Sequence, residues 1–250
     1  MRIIFKRVLA YVIDVFIVTL ISTLLVSNKY ININYEKYQN TFENYNSEYN
    51  NYEKINNKLD KFYNDKEITR KEYLKIYKDP SEYKEIFNKY YIDDKITEKE
   101  YNKIKIEIDN KYSNIQTTNN YNLIKYSTVP TIISILTILL YFVVIQFYCN
   151  GKTIGKKIMK LKVVNYSNKK LTIMNFLIRS LLLNEVFINV LNVIFVNILS
   201  KNNYIAYNHI IYIITYILEM SIIFSIFIDK NNRGIHDYIS NTKVIEDIRE

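Results

Sequence analysis

The stretch "IAYNHIIYIITYILEMSIIFSIFI", residues 205–228, is followed directly by the polar segment "DKNNRGIHDYISNT", residues 229–242. The first part is long and apolar enough to cross a lipid bilayer, whose hydrocarbon core of about 30 Å takes about 20 residues of helix. The second part concentrates polar side chains where such a helix would leave the lipid: Asp229, Arg233, His236 and Asp237. This abrupt change predicts a membrane-spanning helix with a charged exit.

Three other stretches have the same apolar character. They are Val8–Val26, Val129–Cys149 and Leu181–Leu199. With Ile205–Ile228 they predict an all-α integral membrane protein built on a four-helix bundle. A secretory signal is disfavoured for the first stretch, because no small-residue cleavage site follows it and Asp14 interrupts it. We therefore expect a retained first span.

Basic residues are unevenly distributed along the chain. Residues 27–126 hold 18 Lys or Arg against 17 Asp or Glu, whereas the rest of the chain holds 16 against 8. This excess lies in short segments beside the apolar stretches, and short basic segments stay in the cytoplasm. The sequence therefore predicts a cell-membrane protein with cytoplasmic N- and C-termini and residues 27–126 outside. A basic excess of this kind gives no indication of a nucleic-acid partner.

Residues 27–126 form a polar insert with an internal repeat. The segment "DKEITRKEYLKI" at 65–76 recurs as "DDKITEKEYNKI" at 93–104. In each copy a Thr precedes a Glu by three positions, which is the spacing of a capping box at a helix start. Before the repeats, tyrosines three and four residues apart indicate a coiled-coil-like helical seam. We predict a helical extracytoplasmic insert.

The predicted domain organisation follows from these boundaries. It comprises a first span at 1–26, the insert at 27–126, three spans with their loops at 127–245, and a tail at 246–250. Neither Gly nor Pro occurs before Pro80. Span one is therefore expected to continue outward as a long helix, and Asp79 before Pro80 is expected to start another.

The only three glycines lie in the basic segments, and they are Gly151, Gly155 and Gly234. Glycines restricted in this way predict turns where a side chain does not fit. The spacing of the first two does not match a nucleotide-binding P-loop. Cys149 is the only cysteine and only two histidines are present, so neither a disulfide nor an all-protein zinc site is expected. With no nucleophile–base pair or cofactor loop, we expect no enzyme, cofactor or metal.

Four segments resemble the RDD family of multi-pass membrane proteins, which is named after an arginine and two aspartates. They are "FKRVLAYVID" at 5–14, "NGKTIGKKIMKLKVVN" at 150–165, "LIRS" at 177–180 and "IDKNNRGIHDYISNTKV" at 228–244. Arg7, Asp14 and Asp237 match the three residues of the name. The resemblance covers roughly 1–26 and 127–245. It implies a membrane location and, less directly, transport, while the insert and a polar third span depart from the family pattern.

The carboxylates inside the predicted spans suggest a function. The rise of a helix places Asp14, Glu185 and Glu219 at a similar depth, about 10 Å from the cytoplasmic edge. Keeping three carboxylates ionised at one depth in the membrane costs free energy, so a proton or a cation would exchange there. In the alternative interpretation, Asp14 pairs with Arg179 or Arg233 and only locks the bundle.

Two functions remain open. The first is a small-ion or proton-coupled transporter in which Asp14 titrates and Glu185 and Glu219 assist. In it, Arg7, Arg233 and Asp237 form a cytoplasmic gate or structural clamp. The predicted charge network contains Arg7, Asp14, Arg179, Glu185, Glu219, Asp229, Arg233, His236 and Asp237; Asp229, Arg233 and Asp237 would share a face if helical. The second is a membrane scaffold that presents residues 30–124 to a protein partner or a second copy. The lipid bilayer is a partner in both.

Overall fold

The computed structural model describes residues 2–63, 67–69, 71–72, 75, 83–90 and 95–247. The chain divides into two compact units, which we call the membrane unit (1–35 and 125–250) and the insert unit (36–124). In chain order the elements are α1 (Arg2–Val26), α2 (Tyr35–Phe62), β1 (Glu67–Thr69), α3 (Lys84–Lys89), β2 (Lys95–Thr97), α4 (Glu98–Tyr126), α5 (Thr128–Tyr148), α6 (Ile154–Ile158), β3 (Leu161–Asn165), α7 (Ile173–Leu183), α8 (Val186–Ile198), α9 (Lys201–Ile228), α10 (Ile235–Ile239) and β4 (Thr242–Glu246).

Long apolar helices dominate the membrane unit. Helices α1, α5 and α9 are each long and apolar enough to cross a membrane. Helices α7 and α8 supply a fourth crossing if they count as one span, although they are bent by 65° at the break between them. The structure is therefore mostly helical, with three or four candidate membrane-spanning helices.

The third predicted span, Leu181–Leu199, is not one continuous helix. It breaks at Asn184 and Glu185, and Glu185 takes a left-handed backbone conformation with φ of 53°. The side-chain amide of Asn184 donates a hydrogen bond of 3.0 Å to the hydroxyl of Ser180. Local side-chain bonds of this kind compete with the helix backbone. The prediction of an unbroken span was wrong at this point.

The all-α prediction missed two pairs of short strands. Strands β3 and β4 pair antiparallel, with Leu161 opposite Glu246 and Asn165 opposite Thr242. Alternate residues of β3 are buried, as expected for a strand with one face on a core. That core also contains Ala10 of α1 and Phe176 of α7. The strand pair therefore packs against α1 and α7.

The insert unit has a core of its own. Its buried residues come from α2, α3 with the residue before it, α4 and both strands: Ile55, Leu59, Ile68, Tyr83, Ile86, Ile96, Tyr101, Ile104 and Ile108. Strands β1 and β2 pair antiparallel. On α2 the buried positions are Ile55 and Leu59, whereas Tyr52 is partly buried and stacks on Tyr112 with ring centroids 3.9 Å apart. Tyr83 and Tyr101 therefore belong to an isoleucine-rich core, and Tyr52 and Tyr112 flank it.

The predicted Thr–Glu pairs are present in both repeats. The backbone N–H and hydroxyl of Thr69 donate to Glu72, and those of Thr97 donate to Glu100, at 2.6–2.9 Å. The predicted continuation of span one into the insert was wrong, because α1 ends at Val26 and eight residues separate it from α2. The helix start predicted at Asp79–Pro80 lies outside the described residues.

Candidate functional site

Asp14 lies fully buried inside a cage of four hydrogen-bond donors. The Tyr141 hydroxyl and the Gly155 backbone N–H each donate to its Oδ1 at 2.7 Å. The Thr153 hydroxyl donates to Oδ2 at 2.5 Å, and the Lys156 ammonium lies 3.4 Å from the same oxygen. Four donors match the acceptor capacity of an ionised carboxylate. The structure places Lys156, rather than Arg179 or Arg233, beside this acid.

The cage depends on the close approach of α6 to α1. A Cβ atom added to Gly155 would lie 2.1 Å from the carbonyl oxygen of Ala10, so only glycine fits. Thr153 precedes α6 as its N-cap, and its hydroxyl also accepts the N–H of Lys156. Tyr141 lies in a π-helical turn of α5, a local irregularity that is frequent at functional sites. The predicted glycine turn at 155 is therefore a helix contact.

The other two glycines have different surroundings. Gly151 has a φ of +83°, and a Cβ there would lie 2.2 Å from the carbonyl oxygen of Val163. Gly234 is not in the left-handed region, but a Cβ there would lie 2.5 Å from the His236 ring. All three positions thus lack space for a side chain, as the restricted use of glycine predicts.

Asp237 gathers two arginines around a second buried carboxylate. Arg7 donates from Nη2 to Oδ2 at 2.7 Å, and Arg179 donates from Nη1 to Oδ1. The Gly234 N–H donates to Oδ2 at 3.1 Å, and the Thr242 hydroxyl lies 3.3 Å from Oδ1. Elements distant in the sequence, α1, α7 and α10, are thereby joined at one buried point.

Asp229 and Arg233 organise the turn between α9 and α10. Asp229 accepts the backbone N–H groups of Asn231 and Arg233 at 2.9 Å and the hydroxyl of Tyr238. The Arg233 guanidinium lies between the rings of Tyr166 and Tyr238, at 3.8 and 4.0 Å from their centroids. Asp229, Arg233 and Asp237 would share a face only if this stretch were helical, and it is not, because α9 ends at Ile228 and α10 begins at Ile235.

Burial and neighbouring charge shift the pKa of two basic groups outside the spans. Burial lowers the pKa of Lys156 to about 8; Asp14 opposes this shift and Arg179 adds to it. Burial, with the nearby Arg179, Arg7 and Lys156, lowers the pKa of His236 well below its usual value. His236 is therefore neutral at pH 7.

Glu185 and Glu219 form a separate acidic pair. Both side chains are half-buried, and they lie close enough to interact, Glu219 on α9 and Glu185 at the break that separates α7 from α8. The Tyr11 hydroxyl lies beside the break, 3.3 Å from both the Leu183 carbonyl oxygen and Asn184 Oδ1. Two carboxyl groups that lie close together in a poorly hydrated place favour keeping one proton between them. The structure thus brings these two acids together, while Asp14 belongs to its own cage.

Sequence reasoning missed several residues that complete these clusters: Tyr141, Thr153, Lys156 and Thr242. Gly155 could have indicated Thr153 and Lys156, because residues next to a glycine at a close helix contact lie at the same contact. Nothing in the sequence distinguished Tyr141 among 25 tyrosines.

Comparison with known proteins identifies the family. The RDD family model matches residues 96–241, more than half of the chain. No curated protein and no solved structure gives a significant match. The matched range leaves out α1, but Arg7 and Asp14 on that helix bond to Asp237 and Lys156 inside the range. The chain therefore belongs to the RDD family, and it is a membrane protein.

Proposed function

We propose that the protein is a proton-coupled transporter of a small cation across the cell membrane. The proposal is carried by one observation, the proximity of two carboxyl groups, Glu185 and Glu219, at a broken apolar helix. Ionisable groups inside spans are costly, so they tend to mark ion or proton pathways. Broken helices are the usual place for such sites in transporters.

The proposed chemistry is an exchange of charge at the acidic pair. With one shared proton, Glu185 and Glu219 carry a single negative charge. Loss of that proton leaves two negative charges, and one monovalent cation restores the original balance. The pair would therefore hold either a proton or a cation, which couples the movement of one to that of the other. Tyr11, beside the break, would position the Glu185 end.

The other charges have a structural role in this proposal. Asp14 already has four donors, so we assign it to holding α6 against α1 rather than to proton exchange. The Arg7–Asp237–Arg179 cluster would clamp the ends of α1, α7 and α10 on the cytoplasmic side. The short basic segments support cytoplasmic termini and an extracytoplasmic insert.

A flux measurement on reconstituted vesicles tests the proposal. An imposed gradient of Na⁺ or K⁺ should drive proton movement, read from a trapped pH-sensitive dye. Glu185→Gln and Glu219→Gln should each reduce this movement to the level of empty vesicles, because an amide cannot exchange a proton. Glu43→Gln, an exposed change in the insert unit, is the matched control. Unchanged flux in both pair variants would remove the pair from the mechanism.

A scaffold is the second candidate, and the separate core of the insert unit favours it. In that case the membrane unit would hold the insert outside the cell for a protein partner or a second copy. The same assay separates the two functions, because a scaffold gives no proton movement above that of empty vesicles under any cation gradient.

A further inference from the structure

Residues 27–34, which we call the exit loop, join the end of α1 to the start of α2 and belong, like α1, to the membrane unit. Three of their large apolar or aromatic side chains are exposed: Tyr30 at 85%, Ile33 at 78%, and Ile31 between them. Loops that face water are normally polar, and large apolar side chains left exposed at neighbouring positions indicate a function. The exit loop therefore calls for a partner with an apolar surface.

Hydrogen bonds give the exit loop a defined shape. Asn32 is buried; its side-chain amide donates to the Val26 carbonyl oxygen at 3.3 Å, and its Oδ1 accepts the Asn34 N–H at 3.3 Å. Asn28 Oδ1 accepts the N–H of Tyr30 at 2.9 Å. Backbone groups that are paired inside the loop lose less free energy when water is removed. The loop thus satisfies polar groups internally while its apolar side chains point away from it.

The length of α1 determines where the exit loop lies relative to lipid. Arg7 and Val26 are 19 residues apart on this helix, which corresponds to about 28 Å. The hydrocarbon core of a bilayer is about 30 Å thick. With the charged Arg7 at one boundary of the core, Val26 lies at the opposite boundary. Because Asn32 is bonded to the carbonyl oxygen of Val26, the exit loop is held at that boundary as well.

We propose that the exit loop is a membrane anchor, which inserts Tyr30, Ile31 and Ile33 among the lipid headgroups of the leaflet at the C-terminal end of α1. Tyrosine is enriched at this boundary, because its ring is apolar and its hydroxyl stays hydrated. The Lys29 ammonium, 5.5 Å from the centre of the Tyr30 ring, can extend to the lipid phosphates. The anchor fixes the depth at which α1 ends. It depends on the membrane location of the chain and on neither proposed function.

Fluorescence quenching tests the anchor, because the chain contains no tryptophan and one introduced tryptophan gives a unique signal. The full-length Tyr30→Trp and Ile33→Trp variants are reconstituted into phosphatidylcholine vesicles. Lipids brominated near the headgroup end of the acyl chain should quench both variants more than lipids brominated near the chain end. The order should reverse for Ile213→Trp, an exposed position in the middle of α9. Aqueous iodide should quench Tyr49→Trp, at an exposed position of α2, more than either loop variant.

Four outcomes would overturn the anchor. Iodide quenching without lipid quenching at positions 30 and 33 would place the loop in water, and protection from both quenchers would show that protein covers it. Stronger quenching by the deep bromines would place the loop in the hydrocarbon core. Equal lipid quenching at positions 33 and 49 would show that the insert unit as a whole lies on the membrane. Thermal melting checks that each variant folds, and the two loop positions are independent tests.

Discussion

At the scale of single residues, Lys156 brings a positive charge into a buried position. Its ammonium contacts Asp14 Oδ2 and the Thr153 hydroxyl, and it lies 5.7 Å from the centre of the Phe142 ring. These contacts only partly replace water, because burial still lowers the pKa of the group from 10.5 to about 8. The folded state therefore binds the Lys156 proton less tightly than the unfolded state does.

This difference predicts a pH dependence of stability. Between about pH 8 and 10.5 the unfolded chain keeps the Lys156 proton that the folded chain has lost, so stability gains from this group as pH rises. Below pH 8 both states hold the proton and the full cost of burial applies. The melting temperature of the wild type should therefore rise relative to that of Lys156→Met across this window. Lys157→Met, at the exposed neighbouring position, should follow the wild type.

Individual partners within the network were the least predictable feature. Sequence reasoning selected Arg7, Asp14, Arg179 and Asp237, and the structure places all four in buried clusters. It could not select Lys156 over Lys157, because both satisfy the charge bias of a short membrane-adjacent segment. Which of the two lysines is buried depends on the side of the five-residue helix α6 that packs against α1. Tertiary packing determines that side, and the local sequence does not.

At the scale of elements, the break between α7 and α8 places Glu185 in a left-handed conformation. This conformation costs a residue with a side chain about 1 kcal/mol or more relative to glycine. Glu185→Gly should therefore be more stable than Glu185→Ala by about 1 kcal/mol, measured by denaturant unfolding in detergent. Both variants should lack flux, because both lack the carboxyl group. Equal stabilities would mean that the break relaxes without the glutamate.

Elements were predictable where hydropathy alone determines them. The stretches that became α1, α5 and α9 were evident from continuous apolar composition, since a spanning helix satisfies its backbone hydrogen bonds internally. Strands β3 and β4 were missed, because each has only five residues and pairs with a partner about 80 positions away. The helix break was also missed, because it depends on the Asn184–Ser180 bond and on Tyr11 from another helix.

At the scale of the whole molecule, family membership indicates a membrane location, and the charge distribution indicates the orientation of the chain in the membrane. The family match establishes a membrane protein. The basic segments predict which ends face the cytoplasm. The proposed clamp depends on that sidedness, because it is assigned to the cytoplasmic ends of α1, α7 and α10.

Cys149 allows a direct measurement of sidedness. It is the only cysteine of the chain, it is exposed, and it follows α5 at the start of the basic 150–180 segment. In intact cells a membrane-impermeant maleimide should leave it unlabelled, and permeabilisation should restore labelling. The matched control is Ser47→Cys in a Cys149→Ser background, because Ser47 is exposed on α2 of the insert unit and should react from outside. The opposite result, with Cys149 labelled in intact cells and the Ser47→Cys variant protected, would show that the topology is inverted. The basic clamp would then face the extracytoplasmic leaflet, and the insert would lie inside the cell.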